Sequence, residues 1–106
     1  MPSYIQVMTT VPSKRGAERI AEILVGKRLA ACVQILGPAK STYRWRGKIE
    51  KCEEWVCFIK TKDIHYEKIE SEIKKIHKYD VPEIISFRIA KGNAQYMRWI
   101  GESLIR

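Results

Sequence analysis

The chain has 106 residues, 45% of them hydrophobic and 30% charged, with a formal net charge of +8. That length bounds it to one domain with one core, residues 1–106, and the composition excludes a disordered chain. No apolar run exceeds a few residues, which excludes a bilayer-spanning helix.

The basic excess does not by itself select a nucleic-acid partner. Lys and Arg fall in every segment, interleaved with Glu, and no basic run exceeds two residues, so no polyanion footprint stands out. Met1-Pro2-Ser3-Tyr4 lacks a basic region followed by an apolar stretch. No secretory leader is therefore expected, and the cytoplasm is the expected compartment. The three cysteines, Cys32, Cys52 and Cys57, are odd in number and contain no Cys-x-x-Cys pair. They predict neither a disulfide framework nor a closed zinc site.

In chain order, Tyr4 to Thr10 is the first predicted strand, apolar on both alternating faces. Pro12 ends it and Ser13 is a fitting N-cap. Ala17, Ile20, Ala21 and Leu24 share one face of a helix from about Ser13 to Lys27, with Gly26 expected at its C-terminal cap. Leu29 to Ile35 opens a second strand, which Gly37-Pro38 interrupts and Ser41 to Trp45 resumes. Arg46-Gly47 is a tight turn. Lys48 to Lys60 is the third strand, where Cys52 and Cys57 point to opposite faces. Thr61 or Asp63 caps a second helix reaching about His77, with Ile69, Ile73 and Ile76 on one face. His65, at its start, reads as solvated. Residues 83–90 form the fourth strand, with Ile85, Phe87 and Ile89 on one side. Asn93 caps a last helix where Tyr96, Met97, Ile100 and Leu104 repeat at helical spacing. Tyr96 and Trp99 read as packing of this helix against the sheet or a neighbour.

The order βαββαβ predicts an α+β, ferredoxin-like fold: an antiparallel sheet with helices on one face, plus an extra C-terminal helix. The central hairpin is too long for it. At about 3.3 Å per residue, a strand of about 13 residues reaches ~43 Å. A compact chain of this size is roughly 35 Å across. The hairpin must bend or overhang, exposing Tyr43, Trp45 and Ile49. A free aromatic ribbon invites aggregation unless it is covered, and a second copy of the chain is the economical cover. A closed homo-oligomer with these three residues at its interface is expected.

The run Arg28-Leu29-Ala30-Ala31-Cys32-Val33-Gln34-Ile35, then Ser41, Tyr43, Trp45, Gly47, Ile49 and Lys60-Thr61, resembles the CutA divalent-cation tolerance proteins. So do His77, Tyr79, Val81-Pro82-Glu83-Ile84-Ile85, Tyr96 and Trp99-Ile100. The chain departs from the family pattern at Lys78, where proline is usual, and at Gln34, where asparagine is usual. The resemblance implies the same fold, a homotrimer built by sheet pairing, and a role in tolerance of copper and other divalent ions. It does not imply a defined reaction.

The candidate metal ligands are Cys32 and His77, which match the family cysteine and histidine, and Glu83. Thiolate and imidazole suit copper. Cys32 and His77 are far apart in sequence, so only the fold or a neighbouring subunit brings them together. Against this stands a buried, inert Cys32 among small apolar residues, and Glu83 as a structural ion pair with Lys60 or Arg28. The expected cofactor is Cu2+ or another divalent cation, weakly held, with no organic cofactor. An alternative is a regulatory trimer like the PII signalling proteins, binding a small molecule in clefts between subunits, an analogy of fold only. RNA binding is disfavoured, because Lys48 to Trp55 carries Glu50, Glu53 and Glu54 and no Gly-aromatic stacking motif. An enzyme is not expected. Ser13-Lys14-Arg15-Gly16 is no phosphate loop, and Cys32 with His77 lacks an orienting third group.

Overall fold

The computed structural model describes residues 3–106. Strand β1 spans Tyr4–Val11, helix α1 Lys14–Gly26, strands β2 and β3 Cys32–Trp45 and Lys48–Lys62, helix α2 Tyr66–Ile76, strand β4 Ile84–Arg88 and helix α3 Ala94–Ser103. The sheet order is β2-β3-β1-β4, and every neighbouring pair is antiparallel. This is the predicted α+β, ferredoxin-like arrangement. No helix is long and apolar enough to cross a membrane among the described residues.

Strand alternation places the core. Ile5 and Val7 of β1, with Cys57 and Ile59 of β3, point to one side and are buried. There they meet Ala17, Ile20 and Leu24 of α1 and Ile69 and Ile73 of α2 in one cluster. Helix α3 lies on the opposite side. Its Ile100, with Leu104, packs on Ala31 and Tyr4 in a separate cluster. The expectation of helices on one face therefore holds for α1 and α2 only.

Ser13 caps α1 as predicted, its Oγ accepting the Gly16 N–H at 3.0 Å. The C-terminal end differs from expectation. The left-handed residue is Arg28, at φ 59°, not Gly26. The N–H groups of Arg28 and Leu29 donate to the carbonyls of Val25 and Leu24, both at 3.0 Å, which is a Schellman closure. What holds an arginine there is its side chain. Nε and Nη2 donate to the carbonyls of Ser103 and Glu102, both at 3.1 Å. Arg28 thus closes the carboxyl end of α3, where a cation is favoured by the helix dipole.

The second helix also starts differently. Thr61 is fully buried in β3 and its hydroxyl donates to the Leu29 carbonyl at 2.7 Å, so it caps nothing. Asp63 opens a 3-10 turn over Asp63–His65, and α2 starts at Tyr66 without a side-chain cap. His65 is not solvated. It is 9% exposed, and its Nε2 lies 3.0 Å from the Ile105 carbonyl. Strand β4 is shorter than predicted. Ile85 and Phe87 do share a side, but it is the side away from α1 and α2, where they are 43% and 51% exposed. Asn93 caps α3 as expected, Oδ1 accepting the Tyr96 N–H at 3.0 Å.

The hairpin overhangs, as its length requires. The molecule measures 44 × 25 × 22 Å. β1 ends opposite Trp55, so all pairs from Ala39–Glu54 to Trp45–Lys48 extend past the rest of the sheet. Gly37-Pro38 does not break β2. It shifts the register between Leu36 and Ala39 while the strand continues. Glycine is needed here, since a Cβ on Gly37 would sit 2.6 Å from the Trp55 ring. At the tip, Arg46 and Gly47 both have positive φ, 51° and 80°. That is the two-residue turn matching the twist of paired strands.

Candidate functional site

Cys32 opens β2 opposite Lys60, on the sheet side facing away from α1 and α2. It is half-buried and free. Tyr96 of α3 lies beside it; burial, and then the Cys32 side chain, push the Tyr96 hydroxyl above its usual range. Tyr96 stacks on Trp99 with ring centroids 5.5 Å apart, and both stay exposed, at 40% and 44%.

His77 follows the last turn of α2. Its Nε2 lies 2.6 Å from the Thr10 carbonyl at the far end of β1. A carbonyl can only accept, so Nε2 carries the proton. Nδ1 is then the acceptor, and it takes the Tyr79 N–H at 3.2 Å. The Tyr79 ring packs against the imidazole at 4.8 Å, tilted by 53°. Both ring nitrogens are thus engaged within the chain. His77 fastens the connector 77–83 to the end of β1.

That connector forms one wall of a cavity of about 580 Å³ along the overhanging hairpin, lined by Tyr43, Trp45, Glu54, Lys78, Tyr79 and Glu83 among others. Glu83 is exposed at its rim. It pairs with neither Lys60 nor Arg28 among the described residues: Lys60 donates to Gln34, and Arg28 to the carbonyls of α3. The ion-pair reading of Glu83 with those two residues therefore fails. Glu54 is buried at 5% exposure. Burial, and then the Glu54 charge, raise the Tyr79 hydroxyl far above its usual range. The Cys52 side chain is the main cause raising Tyr43.

The fold brings together the His77 connector, Glu83, Tyr43 and Trp45. It does not bring Cys32 to them. Cys32 sits at the register of Gln6, and His77 at that of Thr10, across two intervening strand pairings. No three His, Cys, Asp or Glu side chains converge to hold a metal ion among the described residues. At the overhang, Tyr43, Trp45 and Ile49 are 43%, 39% and 65% exposed. Alternation puts Tyr43 and Trp45 on one face with Cys52 and Glu54, and Ile49 on the other. The Arg46 guanidinium covers the Trp45 ring at 5.5 Å.

Glu54 is the site residue that sequence reading misses. A signal exists: Glu50, Cys52 and Glu54 alternate along β3 and so share one face. What buries Glu54 is the connector 77–83, whose path no local pattern gives.

The model of the "CutA1 divalent ion tolerance protein" family matches residues 5–103. The chain is 41% identical over 97 residues to the divalent-cation tolerance protein CutA of Thermus thermophilus, covering 92% of this chain and 94% of that one. It is 37% identical over 103 residues to the chloroplastic protein CutA 1 of rice, covering 97% of this chain and 58% of the longer rice protein. A solved structure of the T. thermophilus protein superposes with a TM-score of 0.93 at 40% identity, covering 95% of this chain and 98% of that one. The sheet order, the long hairpin and an unbroken match from β1 through α3 place the chain in the CutA1 divalent-ion tolerance protein family.

Proposed function

We propose that the protein acts in tolerance of divalent metal ions, binding copper or a similar cation weakly and without turnover. The observation that carries this reading is the family match over residues 5–103, together with relatives named for divalent-cation tolerance. Cys32, His77 and Glu83 are the proposed ligands. Since one chain holds Cys32 apart from the other two, the proposed site joins copies of the chain. The cover for the overhang supplies the copies: a homotrimer with Tyr43, Trp45 and Ile49 at its contacts, the half-exposed rings being costly to leave bare. A cation taking Nδ1 of His77 displaces the Tyr79 N–H, which keeps the affinity low.

The test is calorimetric titration of copper(II) into the purified full chain and into the Cys32→Ser and His77→Ala variants. Binding weakened in both variants is the expected result. No binding tighter than about 1 mM, or equal binding in all three proteins, overturns it. Sedimentation reports the assembly separately, and a stable monomer at micromolar concentration rules out the trimer.

A further inference from the structure

A second cavity, larger than the one beside His77, lies at the other end of the sheet. A groove of about 960 Å³ runs between the end of β3, the 3-10 turn and the carboxyl end of α3. None of Cys32, His77 and Glu83 lines it, so a ligand held there is independent of the metal reading. Its volume is that of a small-molecule site. Its lining is cationic: Arg28, Lys62, Arg98 and Arg106 stand against the carboxylates of Asp63 and Glu102. None of the four cations is ion-paired among the described residues. Apart from His65, held by the Ile105 carbonyl, the remaining wall is largely apolar, with Ile64 76% and Ile105 50% exposed.

Two details prepare this groove for an anion. The carboxyl end of α3 borders it, and a bare helix end of that polarity repels anions. Arg28 removes the repulsion by donating to the Glu102 and Ser103 carbonyls. The second detail is Gly101, a helical glycine that lines the groove. A Cβ there would lie 3.0 Å from the Tyr4 hydroxyl and 3.3 Å from Lys62 Nζ. Its absence lets both groups reach the groove. Lys62 stands over the Tyr4 ring at 5.2 Å, a position that holds its ammonium in place without neutralising it.

We propose that this groove binds a small organic anion, its carboxylate or phosphate on Lys62 and Arg98 and its apolar body against Tyr4, Ile64 and Ile105. Charge selects the anionic end, and the exposed isoleucines select a body larger than an inorganic ion.

Calorimetric titration of the full chain with phenyl phosphate, phenylacetate and the neutral phenylacetamide tests this. At least one anion is expected to bind one per chain, about tenfold or more tighter than the amide; which anion does so distinguishes a phosphate from a carboxylate ligand. Lys62→Gln and Arg98→Gln should each weaken the anion by about tenfold, and added salt should weaken the anion but not the amide. Ile64→Ser, at a position too exposed to affect folding, should weaken anion and amide together. Lys40→Gln, on the distant hairpin, should change nothing. Equal binding of amide and anions, unchanged anion binding in the Lys62→Gln/Arg98→Gln double variant, or no saturable binding by any probe overturns the proposal.

Discussion

Strand β3 passes through two different environments. From Val56 to Lys60 it lies between β1 and β2, and Cys57 and Ile59 are completely buried. From Lys48 to Glu54 it pairs with β2 alone, and Ile49 is 65% exposed. The backbone is the same extended ribbon in both halves. What differs is the third strand beside it and the helices above it. An isolated two-stranded ribbon is marginal in water, so the outer half depends on the inner half, on the connector 77–83, and on the copies proposed to cover it.

Substitutions in the two halves separate these dependences. The largest effect belongs to the inner half. Ile59→Ala should cost about 3 kcal/mol in urea unfolding, because the packed cluster around it cannot close the cavity; a cost under about 1 kcal/mol would mean the base of the sheet is no better packed than the overhang. Cys57 gives the next effect, through pH. Burial pushes its thiol up to about 11 from an ordinary 9.0. The unfolded chain therefore loses this proton first as pH rises. The associated stability is complete below pH 9 and is lost toward pH 11, on the order of 2 kcal/mol. The parent should show a steeper decline than Cys57→Ala across that window. Thiol labelling sharpens the contrast, with half-buried Cys52 modified in the native state and Cys57 only on unfolding.

Gly47 at the hairpin tip is smaller in effect. Its φ of 80° is unfavourable for any residue with a Cβ, so Gly47→Ala should cost about 1 kcal/mol. The loss should show as faster amide exchange confined to the overhang, leaving Ile59 protected. Ile49→Ala should cost under about 0.5 kcal/mol in the isolated chain. A larger loss that grows with protein concentration would place Ile49 in a contact between copies.

Much of this is legible residue by residue. Ser13 and Asn93 announce their caps because a side-chain oxygen on the residue before a helix satisfies a free N–H whatever the surroundings. Arg46-Gly47 announces the turn for the same local reason. The spacing of Ile20, Leu24, Ile69 and Ile73 gives the buried helix faces. Even the overhang follows from the predicted strand lengths between Leu29 and Lys60. Local reading fails where a distant partner intervenes. Gly26 is the natural helix stop, yet Arg28 takes the left-handed position because α3 gives its guanidinium two carbonyls. His65 reads as solvated, yet it meets the Ile105 carbonyl from the other end of the chain. Ile85 and Phe87 share a side as their spacing requires, but no pattern says which side of the sheet α1 and α2 cover.

The candidate site divides in the same way. Cys32, His77, Glu83, Tyr43 and Trp45 are nameable from sequence, since their identities and order carry the family resemblance. The sequence determined by itself the element order, the long hairpin and the family to which the chain belongs, because these rest on local periodicity, turn chemistry and residue identity. Long-range packing sets the rest: Cys32 stands apart from His77, both imidazole nitrogens are engaged, Glu54 is buried, and four cations line one groove. These are distances between residues remote in sequence. They are set by strand register and by which face each helix covers, and neither is encoded in any short stretch of chain.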